Sequence, residues 1–152
     1  MSGVHDFDFL HGGGWIVSHR RLRHRGVNCR DWDDIEGSAE TRPLLGGLCN
    51  VEEHTIPGAS GVAFRSFDPA ARVWSIVWVS ASDGLIQPPV VGRFTADLGH
   101  FEGEDQDSGK PVRVRFLWDR SDPAAPTWAQ SFSYDGGATW ELNWTMQFRR
   151  QA

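Results

Sequence analysis

The stretch FLHGGGWIV, Phe9 to Val17, decides how the rest of the chain is read. Three consecutive glycines can form a loop whose backbone N–H groups converge on an oxyanion, the reading that makes the chain a hydrolase. In the other reading, Gly12, Gly13 and Gly14 are a flexible entry into a first strand that opens at Trp15. The hydrolase reading needs a nucleophile on a sharp strand-to-helix turn, G-x-S-x-G, with an acid and a histidine further along the chain. The nearest candidate, Gly58-Ala59-Ser60-Gly61, has the wrong spacing. Nothing reads as the crossover helices of a parallel sheet. The strand-entry reading is therefore preferred.

Working outward, no window carries the i, i+3, i+4, i+7 pattern of an amphipathic helix. Turn punctuation recurs instead, at GGG, GG, PG, DPAA, DG, PP, SGK, DPAAP and DGG. Between these signals lie β-rich runs at 15–22, 33–40, 48–56, 62–67, 73–80, 91–95, 100–104, 112–118, 127–134 and 139–148. Short strands joined by tight turns predict an all-β, up-and-down antiparallel barrel of about ten strands, since closure removes exposed edges. Phe7–His11 is read as a short helical turn plugging one end.

Alternation assigns faces. Val112, Val114, Phe116 and Trp118 oppose Arg113 and Arg115, and Trp74, Ile76 and Trp78 share a face. Trp128, Gln130 and Phe132 form another face, and Trp140, Leu142, Trp144, Met146 and Phe148 a fourth. If Asp135-Gly136-Gly137 is a three-residue hairpin loop, Tyr134 pairs with Ala138. Phe132 then faces Trp140, Gln130 faces Leu142, and Trp128 faces Trp144. A slip of one residue would turn Glu141 and Asn143 inward instead.

The 152 residues fit one domain, 1–152, with enough length for a real core. Eight Trp and nine Phe against a single Tyr are an unusual aromatic supply, enough to fill a core or to line an apolar cavity. A net charge of −5 argues against nucleic acid. The one basic run, His19 to Arg25, lies beside Asp31, Asp33, Asp34 and Glu36 and reads as a solvated ion-pair region. No apolar run reaches the ~20 residues of a membrane span, and MSGVHDFDFL has no secretory pattern. With Cys29 and Cys49 the only cysteines, a cytoplasmic protein with free thiols is expected. The histidines lack zinc-ligand spacing, so no metal and no cofactor are expected. Glu52 and Glu53 point to opposite faces of a strand and form no acid/base pair, and Asp105 and Asp107 near Lys110 read as a solvated turn.

Two motifs carry resemblances. Ser133 to Trp140, SYDGGATW, matches S-x-D-x-G-x-T-W, the Asp-box that braces hairpins in sialidases. A single copy predicts a braced hairpin and no glycosidase, because a propeller needs repeats. Gly13-Gly14-Trp15 resembles the Gly-x-Trp that opens the barrel in lipocalins and other calycins. FDFLHGGGW, LLGGLCNVEE, FDPAARVWSIVW, VRVRFLW and SYDGGATWELNW extend the likeness over nearly the whole chain. Together they resemble a family of small bacterial calycin-like barrels, akin to lipocalins and fatty-acid-binding proteins, with no assigned activity. The resemblance implies that Gly13 and Trp15 close the barrel floor and that a basic residue near the chain's end, Arg149 or Arg150, packs across the indole.

The expected function is binding of a small hydrophobic or aromatic molecule inside the barrel. Candidate lining residues are Trp78, Trp118, Trp128, Phe132 and Trp144, with Gln130, His19, Arg21 and Arg115 as polar contacts. The alternative is a cofactor-independent cyclase or isomerase that confines a hydrophobic substrate, chemistry that leaves no motif. A solid-cored barrel that binds other proteins is a third reading, and a homodimer is compatible with all three.

Overall fold

The computed structural model describes residues 3–152. The strands are β1 (Gly14–Leu22), β2 (Trp32–Leu44), β3 (Cys49–Thr55), β4 (Gly61–Asp68), β5 (Val73–Ser80), β6 (Val90–Thr95), β7 (Leu98–Asp107), β8 (Lys110–Asp119), β9 (Thr127–Ser133) and β10 (Glu141–Arg150). Each pairs antiparallel with its chain neighbours, and β10 returns to β1, so the sheet closes into a ten-stranded up-and-down barrel. Closure leaves no free edge. No helix among the described residues is long and apolar enough to cross a membrane. Cys29 and Cys49 are free thiols.

The segment before β1 plugs one end. A 3-10 turn, Asp8–Leu10, carries Leu10 inward, and Phe7 beside it is equally buried. Phe7 meets Trp74 and Phe94 edge-on, with ring centroids 4.9 and 5.3 Å apart. Trp74 Nε1 donates to the buried Asp6 carboxylate at 2.9 Å, which ties the plug to β5. The glycines then turn the chain into β1, with Gly13 at φ 129°, a conformation open to glycine and strained for other residues.

Trp15 seals this floor. It is fully buried, and its Nε1 donates to the Leu10 carbonyl at 2.9 Å. The cation across it is Arg150, whose guanidinium carbon lies 3.8 Å from the indole centroid. Arg150 also donates to the carbonyls of Phe9, His11 and Gly13, fastening the end of β10 to the glycine loop. Arg149 does not take that role. Successive strand residues face opposite sides, so Arg149 points outward, 3.4 Å from Glu36.

The β9–β10 hairpin differs from the sequence expectation. Its connection runs from Tyr134 to Trp140, and the ladder starts at Glu141 opposite Phe132. Leu142 pairs with Ser131, Gln130 with Trp144, and Trp128 with Met146. A bulge at Asn143 shifts the register, so Leu142 is exposed, Asn143 is buried, and only Trp144, Met146 and Phe148 keep the inward face. Trp140 lies outside, beneath the Arg115 guanidinium. The brace itself forms as the motif predicts. Asp135 accepts from Ser133 Oγ at 2.7 Å, the Thr139 amide at 2.9 Å and Thr139 Oγ1 at 2.5 Å. These bonds hold its carboxyl at a pKa of about 2.

Candidate functional site

Opposite the plug, the barrel interior opens as a cavity of about 350 Å³, near the lower end of the ~300–1,000 Å³ usual for small-molecule sites. It runs from the buried side chains of Glu52, His54 and Arg65 to the exposed rim residues Asp83, Glu104 and Gln106. The wall between is aromatic. Trp144 contacts Trp78 and Trp128 edge-on, with centroids 6.1 and 5.3 Å apart, and Phe116 meets Trp128 at 5.0 Å. Gly61 makes room for Trp78. A Cβ there would lie 2.3 Å from the indole, so a side chain at this position would push the ring out of the wall.

The base is a buried polar cluster. Arg65 Nη2 donates to Glu52 Oε1 at 2.6 Å, and His54 Nε2 meets the same oxygen at 2.9 Å. Thr41 Oγ1 donates to Glu52 Oε2 at 2.8 Å, and Asn50 Oδ1 accepts from Arg65 Nη1 at 2.8 Å. Burial pushes the Glu52 carboxyl up, but Arg65, His54 and Thr41 outweigh it and hold the group well below the usual carboxylate range. The Arg65 guanidinium is stacked 4.7 Å over Phe7, so the plug forms the underside of the charged base. Nε2 of His54 donates to Glu52, and its Nδ1 is buried with no hydrogen-bond partner among the described residues.

Seven of the sequence candidates meet in this cavity: Trp78, Trp118, Trp128, Gln130, Phe132, Trp144 and Arg21. His19 is inside the barrel but behind the wall, where its Nδ1 accepts from Trp144 Nε1 at 3.0 Å. Burial, with His54 and Arg21 nearby, lowers its pKa to about 4 and keeps it neutral. Arg115 stands outside the lining with its guanidinium 4.3 Å from the Trp140 centroid, as expected of a residue opposite Val114 and Phe116. Gln130 lines the cavity, and its Nε2 donates to Asn143 Oδ1 at 2.8 Å.

No protein-family model and no curated protein matches the chain. The site therefore rests on its own geometry.

Sequence reasoning missed Glu52, His54 and Arg65. On β3 the inward set is Asn50, Glu52 and His54, and the outward set is Val51, Glu53 and Thr55. Apolar alternation cannot point inward on such a strand, because its apolar residue faces out. The usable signal is on β4, where Arg65 shares the face of Ala63 and Phe67. A cation on an apolar face demands a buried anion nearby, and Glu52 lies on the neighbouring strand. Asp107 was misread as a solvated residue. It accepts from Arg25 Nη2 at 2.8 Å and Tyr134 Oη at 2.6 Å, strapping the β1–β2 connection across the rim. Arg20 and Arg23 do behave as read, pairing with Asp34 and Asp33 at 3.4 and 2.8 Å.

Proposed function

We propose that the barrel binds a small aromatic or hydrophobic molecule in this cavity, in the manner of a calycin-like carrier. The observation that carries the reading is an aromatic wall built around open space above a buried ion-paired base. A core that served stability alone would close to native packing density, since each void forfeits dispersion contacts. The rigid base and plug keep the rings apart, and an apolar molecule entering between them recovers those contacts.

The test is mass spectrometry of small molecules co-purifying with the protein, repeated after incubation. One bound compound, retained by the native protein, released on unfolding and unchanged over time, supports carriage. A compound that is converted on incubation replaces carriage with the cyclase or isomerase reading. A protein that carries nothing and takes up no aromatic probe removes both.

A further inference from the structure

Among the described residues, one arginine of the cavity lining has no carboxylate partner. Arg21 reaches inward from β1, lines the cavity, and lays its guanidinium carbon 4.4 Å from the Trp144 centroid. It forms no hydrogen bond and no ion pair with any of the described residues. The other two arginines of the lining are both engaged, Arg65 by Glu52 and Asn50, and Arg25 by Asp107. Partial burial and the neighbouring Arg25 lower the Arg21 pKa from its ordinary value. An arginine nonetheless stays charged.

We propose that Arg21 is the anion-binding group of the cavity and that the ligand is a small aromatic monocarboxylate. This rests on the reading of the cavity as a ligand site and names the ligand's chemistry. The guanidinium lies over the Trp144 ring, and none of its N–H groups has a hydrogen-bond acceptor among the described residues. Those groups form the planar fork that meets a carboxylate bidentately. The rings of such a ligand lie among Trp78, Trp128 and Trp144, which line the same cavity as Arg21. The rim selects for a single negative charge. Asp83, Glu104 and Asp105 border the opening and repel a dianion such as a phosphate monoester about twice as strongly as a monoanion, with screening weakening both.

Isothermal titration with 2-naphthoate and its uncharged isostere 2-naphthamide tests this. Wild-type protein binds the carboxylate at least tenfold more tightly than the amide. Arg21→Gln raises the naphthoate Kd at least tenfold and leaves the naphthamide Kd within about twofold, with near-UV circular dichroism confirming the fold. Equal wild-type affinities for the two probes overturn the anion site while leaving the cavity reading intact, and this arm needs no variant. Failure of both probes to bind at millimolar concentration overturns the cavity reading together with it.

Discussion

At the residue scale, Trp15 and Glu52 show two ways in which one side chain sustains the barrel. Trp15 is fully buried, hydrogen-bonded to Leu10 and covered by Arg150. Trp15→Ala removes an indole that the surrounding plug cannot replace, and is expected to cost about 3–5 kcal/mol in urea unfolding. A loss below about 1 kcal/mol would contradict its sealing role. Glu52→Gln leaves the Arg65 cation uncompensated in the interior, and the expected loss is again about 3–5 kcal/mol. A variant as stable as wild type would show that Arg65 finds another partner or water. Gln130→Leu is different, because Gln130 faces the cavity and also supplies Asn143 Oδ1 with its hydrogen bond. Asn143 Nδ2 already lacks a partner among the described residues, so this substitution should cost about 1–3 kcal/mol as well as altering ligand affinity. Chemical denaturation of the unliganded variant measures the first effect separately from the second.

At the scale of the elements, much of the fold was legible in the sequence, and the failures are local and physical. Strand β8 was readable because Val112, Val114, Phe116 and Trp118 alternate without interruption, and all four face inward. The plug was readable because Phe7 and Leu10 flank a turn just before the glycines. Strand β10 misled because its alternation, Trp140 to Phe148, runs unbroken through the Asn143 bulge. A bulge adds one residue without marking the hydrophobic pattern, so period-two reasoning carries Trp140 and Leu142 to the wrong face. The base of the site was hidden for another reason. Its residues are polar and face inward on β3, and only the pairing with β4 reveals that Glu52 and Arg65 compensate each other. Assigning the amide ladder by NMR checks the hairpin directly. The structure requires cross-strand contacts between Gln130 and Trp144, while the unbulged register would place Gln130 opposite Leu142.

At the scale of the whole molecule, the barrel separates stability from recognition along its axis. The plug, Trp15 and Arg150 close one end, the Glu52–Arg65 pair forms a fixed base above it, and the open half retains the aromatic wall. His19 links stability to pH. Its pKa falls to about 4 in the fold, against 6.5 in an unstructured chain. Protonation therefore favours the unfolded chain: His19 contributes fully above pH 6.5, and its contribution is lost as pH falls towards 4. The expected loss is about 2 kcal/mol between pH 7 and pH 4.5, after discounting the shift for solvent screening. Urea unfolding at the two pH values should show it, and His19→Gln, which keeps an acceptor for Trp144, should shrink the difference. Wild-type stability that does not change over this interval would mean that His19 titrates normally.

The aromatic wall borders an open cavity of about 350 Å³, and the proposed function requires a ligand to enter it. A crystal structure of the protein grown with 2-naphthoate tests that requirement most directly. The expected density is one planar ring system between Trp78, Trp128 and Trp144, with the Glu52–His54–Arg65 base unmoved beneath it. Side chains collapsed into that volume, or a probe found only on the outer surface, would contradict it.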